Sequence, residues 1–178
     1  MTDRNLTGQI ERNYLDRNRA YIHEARNQLG MLSAVSKAAY RVWSPETALG
    51  TLKEAVRRMS TRHGGQGGAI VNVGSAASHL GGASEYVDYA ASKGAIDTMT
   101  EGLAKEVAGE GIRVNGVRPG VIRTTIHASG GNPDKPDVAG SVIPMGRIGE
   151  PEEIANGVLW LAEAGFTTGA LIDIDGGV

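Results

Sequence analysis

Three short runs rich in β-branched residues recur in the chain, and consecutive runs are separated by segments of helical length. The runs are 69–74 (AIVNVG), 112–120 (IRVNGVRPG) and 170–178 (ALIDIDGGV). Each is apolar, short and bounded by glycine, the pattern of a strand buried on both faces. Between the first two lies a stretch from about Tyr86 to Ala108. Its Ile96, Met99, Leu103 and Val107 fall three and four apart, the period of a helix that buries one side. Between the second and third lies EPEEIANGVLWLAE, with Pro151 suited to a first helical position, acids in the first turn, and Ile154, Val158 and Leu161 on one side. Strand, helix, strand, helix, strand predicts an α/β fold whose right-handed crossovers make the sheet parallel. In such sheets the ligand crevice lies outside the carboxyl ends of the strands. That rule brings together Ser75, the loop 120–125 and the first turns of the long helix.

Upstream the texture changes. Residues 1–43 carry seven Arg/Lys against four Asp/Glu; residues 44–178 carry eleven against sixteen. The segment 10–42 reads as helix with a break at Gly30. Two regions are therefore expected: a helical segment at 1–43 and an α/β domain at 44–178. The second opens with a helix over SPETALGTLKEAVRRMSTRH, where Pro45 marks the start and basic residues suit the end. GGQGG at 64–68 is a turn. Residues 123–149 form a Gly/Pro-rich excursion too long for a plain connection, a length that usually carries function.

Composition excludes several classes. With 26 glycines and 4% aromatics, the core must rest on Ala, Val, Ile and Leu and on close backbone approaches. Trp43 and Trp160 read as packing residues. The net charge of −2 argues against a nucleic-acid partner. There is no cysteine, so disulfides and thiolate metal sites are excluded. No run approaches 18 apolar residues, so no membrane role is expected and a cytoplasmic protein is. His23, His63, His79 and His127 show no ligand spacing, so no metal site is predicted; His79 lies near the expected substrate mouth.

Tyr89 and Lys93, at i and i+4, share one helical face. A phenol alone is a poor acid or base at neutral pH, and a nearby cation stabilises its phenolate. Ser75 supplies a hydroxyl that can hold a carbonyl oxygen. The tyrosine would protonate that oxygen, or deprotonate an alcohol in reverse. A hydride must come from a nicotinamide, since no side chain supplies one.

These residues, with their surroundings, closely resemble the short-chain dehydrogenase/reductase family. The carriers are IVNVGS, YAASK, IRVNGVRPGVIRT, GEPEEIA and GALIDIDGG, in family order from about Lys53 to Val178. The resemblance implies a truncated Rossmann-like three-layer fold with about three strands. It implies an NAD(P)-dependent oxidoreductase acting on a ketone or secondary alcohol. It assigns catalysis to Ser75, Tyr89 and Lys93, and nicotinamide binding to Tyr89, Lys93, Pro119, Gly120, Ile122 and Thr124. The 123–149 excursion would be a substrate lid, and a homo-oligomer is expected. The family's Thr-Gly-x-x-x-Gly-x-Gly turn is not in this sequence, and its catalytic asparagine aligns near Ser44. Two alternatives stay open: a non-catalytic remnant or designed scaffold, and one half of a split or oligomeric assembly.

Overall fold

The structure is a computed structural model that describes residues 45–129, 134 and 138–178. The expected helix at 10–42, Trp43 and Ser44 lie outside the described residues. The chain divides into two compact units, Met1–Thr51 with Thr124–Lys135, and Leu52–Arg123 with Pro136–Val178.

The second unit contains the α/β elements. Helix α1 (Pro45–Met59) enters it at Leu52, and a single 3-10 turn (Thr61–His63) follows. Then come β1 (Gly68–Val73), α2 (Ala77–Leu80), α3 (Val87–Val107) and β2 (Ile112–Pro119). After α4 (Ile126–Ser129), which belongs to the first unit, α5 (Pro151–Glu163) and β3 (Leu171–Ile174) complete the order. The GGQGG turn is required by geometry. Gly67 has φ +74°, and a Cβ there would run into the Gly111 carbonyl.

The three strands form one parallel sheet in the order β1-β2-β3. The register pairs Val73 with Val117, and Gly116 with Leu171. Successive β2 residues point to opposite faces, and each face meets a different helix. On one face, Ile112 and Val114 pack with Ala104 and Val107 of α3, joined by Val56 and Met59 of α1. On the other, Arg113 donates to the carbonyls of Leu161 (2.8 Å), Ala162 (2.6 Å) and Ala164 (2.8 Å) at the end of α5. A helix end leaves such carbonyls without intrahelical partners, and a cation there also suits the helix dipole. Asn115, fully buried, donates to the Thr167 carbonyl and accepts from the Ala170 N–H, which ties the α5–β3 loop to the sheet. The result is three layers, helix, sheet, helix.

Two sequence expectations shift in phase. Within α3 the fully buried residues are Ala90, Thr100, Ala104 and Val107, while Met99 is 36% exposed. In α5 Leu161 is fully buried but Trp160 is 55% exposed, not packed. Adjacent helical residues point about 100° apart, so burying Leu161 turns Trp160 outward. None of the described helices is long and apolar enough to cross a membrane.

Candidate active site

Residues from all three strands meet at the carboxyl end of the sheet. β1 ends at Val73, and Gly74 donates to the Val117 carbonyl at 2.8 Å. Ser75 follows, half-buried, and its Oγ accepts the Ala77 N–H at 3.2 Å. That bond starts α2 and leaves the hydroxyl proton free to be donated. Ala76 donates to the Pro119 carbonyl at 2.9 Å, so the ends of β1 and β2 are bonded together beside Ser75.

Tyr89 lies in the first turn of α3 and is 40% exposed. The Tyr86 ring meets it edge-on, centroids 5.9 Å apart and planes at 80°. Lys93 Nζ is 5.6 Å from the Tyr89 ring centre and donates to the Val73 carbonyl at 3.2 Å. The ammonium therefore bridges the tyrosine's helix and the strand that leads to Ser75. The sequence contains no direct sign of this bond, because it joins residues 20 apart.

Gly120 donates to the Ile174 carbonyl at 3.1 Å, and a Cβ there would lie 2.7 Å from the Asp175 Cα. Only glycine permits that approach of the loop to β3. Ile122 forms an isolated parallel bridge with Gly149. It also lines a cavity of about 430 Å³ together with Met145, Gly149, Asp173, Asp175 and Gly177. Ser75, Tyr89 and Lys93 do not line that cavity. Thr124 belongs to the first unit, where its Oγ accepts the Ile126 N–H at 3.4 Å. Ser75, Lys93, Tyr89, Pro119 and Gly120 are thus gathered at one sheet end, and Ile122 follows in the next loop. In the expected lid, Ile143 is buried and Met145 donates to the Gly176 carbonyl at 3.1 Å.

A polar web missed by the sequence reading lies behind these residues. Arg118, just before Pro119, donates to both oxygens of Asp173 (2.7 and 3.0 Å) and pairs with Asp97 of α3 at 3.5 Å. Asp97 is four residues beyond Lys93, so Tyr89, Lys93 and Asp97 follow one helical row. The only signal in the sequence was that spacing.

At the cavity rim, Arg147 donates twice to Glu153 (2.8 and 2.7 Å), and the Glu150 N–H adds a third bond at 2.8 Å. The Arg147 guanidinium first, and then that N–H, hold the Glu153 carboxyl down at about 2, against an ordinary 4.5. A depressed acid contributes stability above its unfolded value and loses it as pH falls through the folded one. The contribution of Glu153 is therefore expected to be intact above about pH 4.5 and lost between there and about pH 2. A side-chain carboxyl NMR titration should place its midpoint near 2, and a midpoint near 4.5 would show that the Arg147 grip is absent in solution.

A family model described as enoyl-(acyl carrier protein) reductase matches residues 31–178, reaching further toward the N-terminus than the motifs do. The uncharacterized oxidoreductase YgfF of Escherichia coli (strain K12) is 59% identical over 127 residues, 70% of this chain and 51% of that protein. A solved short-chain type dehydrogenase/reductase from Mycobacterium marinum superposes with a TM-score of 0.63 at 36% identity, over 71% of this chain and 49% of that one. ElxO, solved with NADP bound, gives 0.59 at 34% identity, over 70% of this chain and 50% of that one. The chain spans about half the length of the curated relatives it matches.

Proposed function

The chain belongs to the short-chain dehydrogenase/reductase family, and from that premise we propose that it carries the proton-transfer centre of an NAD(P)-dependent oxidoreductase acting on a ketone or secondary alcohol. The observation that carries this reading is the position of Lys93. Its ammonium is 3.2 Å from the Val73 carbonyl at the end of β1 and 5.6 Å from the Tyr89 ring centre, which supports reading Ser75, Tyr89 and Lys93 as one centre.

The residues present suit a nicotinamide nucleotide. Gly120 lets the loop lie against Asp175 at the end of β3, and Lys93 has two N–H donors beyond the one given to Val73. Those two would hold ribose hydroxyls; Pro119, Gly120 and Ile122 would face the nicotinamide. When bound, the cofactor supplies or accepts the hydride.

The chain's own groups handle the proton. The Ser75 hydroxyl donates to the substrate oxygen and fixes its direction. The Tyr89 hydroxyl gives its proton to that oxygen as negative charge develops there. The Lys93 cation stabilises the phenolate left behind. In the alcohol-to-ketone direction each proton moves back.

Binding tests the reading directly. Titration of the chain with NADH and NADPH, followed by nicotinamide fluorescence, should show saturable binding of one or both. No binding of either at millimolar concentration would end the catalytic reading and favour a non-catalytic scaffold.

A second reading has its own observation. Among the described residues β1 pairs with β2 alone, and Val73 is 54% exposed. An open strand edge invites pairing with another chain, so the protein would work as one part of an assembly. Light scattering that shows a monomer at every concentration would exclude self-assembly.

A further inference from the structure

We propose that His79, Asp173 and Asp175 form a binding site for a first-row divalent metal ion of the zinc type. The donor atoms of these three side chains all lie within 4.8 Å of one another, and His79 Nδ1 is 4.0 Å from Asp173 Oδ1. They converge from distant parts of the sequence. His79 is on α2, four residues past Ser75, while the two aspartates are at the end of β3.

Three features make this a cation site. The first is donor chemistry. One imidazole and two carboxylates suit zinc-like ions, whereas magnesium and calcium prefer oxygen alone. The second is charge. Arg118 pairs with both Asp97 and Asp173, and Asp175 adds a third carboxylate beside Asp173, so the cluster retains an excess of negative charge. The third is orientation. Arg118 grips both oxygens of Asp173, leaving each a second lone pair, and the Gly177 N–H holds Asp175 Oδ1 at 2.8 Å. Ligating carboxylates are commonly steadied in this way by outer hydrogen bonds.

Binding requires the donors to draw together. Tetrahedral zinc with bonds of about 2.0–2.2 Å sets its donors about 3.3–3.6 Å apart, so these side chains must approach one another by about 1 Å. The His79 side chain is 38% exposed, so its rotamer can supply that approach while Arg118 keeps Asp173 in place. Water would complete the shell. A bound ion would tie α2 to the end of β3, and so brace the segment that begins at Ser75. This site does not depend on the oxidoreductase reading.

The test is isothermal titration calorimetry of the full chain with ZnCl₂, and with MgCl₂ in parallel. One zinc per chain is expected, bound more tightly than magnesium. His79→Ala and Asp175→Asn should each weaken zinc about tenfold or more. His23→Ala, His63→Ala and His127→Ala should leave it unchanged. Circular dichroism will show whether the variants fold. Cobalt(II) absorption of the wild-type chain gives a second readout, with a ligand-field band that Asp175→Asn should alter. The proposal is overturned by the absence of zinc binding at millimolar concentration, by unchanged affinity in folded His79→Ala, or by equal loss in any of the other histidine variants.

Discussion

Tyr89→Phe is expected to lower carbonyl reduction about 10²–10⁴-fold, the usual contribution of a positioned acid or base. The loss should fall on kcat, with melting temperature unchanged. The substitution removes one oxygen and keeps the ring. The residue is 40% exposed, and its ring contacts, the Tyr86 edge at 5.9 Å and the Lys93 ammonium at 5.6 Å, are made by the aromatic face and edge that phenylalanine retains. A loss of stability would therefore signal an unsuspected structural bond at the hydroxyl. Lys93→Met is a different case, because it also breaks the bond to the Val73 carbonyl. It should reduce turnover and cofactor affinity together. Steady-state rates of wild-type and Tyr89→Phe chains decide the matter: activity within tenfold of wild type would place the acid elsewhere.

Leu161→Ala should destabilise the fold by about 2–5 kcal/mol, the range for emptying a buried leucine site. Leu161 is fully buried at the end of α5, and its own carbonyl is fixed by Arg113 at 2.8 Å. The helix therefore has little freedom to settle into the void, which argues for the upper part of that range. Domains of this kind are stable by only about 5–15 kcal/mol, so the variant would stand close to unfolding at room temperature. Trp160→Ala, one residue earlier and 55% exposed, should change stability by about 0.5 kcal/mol or less. Urea denaturation of both variants gives the comparison. Equal effects would mean that α5 presents a different face to the sheet than the one described.

Much of the architecture is legible in the sequence, and the errors have a common cause. β-branched runs and glycine breaks locate β1 and β2 within one residue, since they span Gly68–Val73 and Ile112–Pro119, whereas β3 ends at Ile174, four residues short of its expected run. Periodicity in α3 is harder to interpret, because it fixes a repeat but not its phase. Ile96, Met99, Leu103 and Val107 satisfy the spacing, yet so do Ala90, Lys93, Asp97, Thr100, Ala104 and Val107. The second row is the one that faces the sheet. It looks unpromising because half of it is polar. Those polar members are inward for reasons a pattern cannot show: Thr100 bonds Asn72, Asp97 meets Arg118, and Lys93 reaches Val73.

The chemical site is legible to the extent that it rests on local motifs. Ser75, Tyr89, Lys93, Pro119 and Gly120 gather at one sheet end because each follows a strand or opens a helix. The Arg118 web and the approach of His79 to Asp173 and Asp175 depend on parallel strands lying side by side. Residues 94 apart in the chain carry no sequence sign of that neighbourhood.

The inward row of α3 also makes the helix a lever. Tyr89 stands 15 residues from Ala104, about 22 Å along a helix rising 1.5 Å per residue. Ala104 is packed against the core beside Val114. A tilt of about 3° set at that end would carry the phenol roughly 1 Å, a displacement large enough to cost about a hundredfold in rate. The other end is steadied by buried Ala90, by the Lys93–Val73 bond and by the Tyr86 N–H bond to the Gly82 carbonyl. Packing changes deep in the core, far from any substrate, are thereby amplified into the aim of the acid.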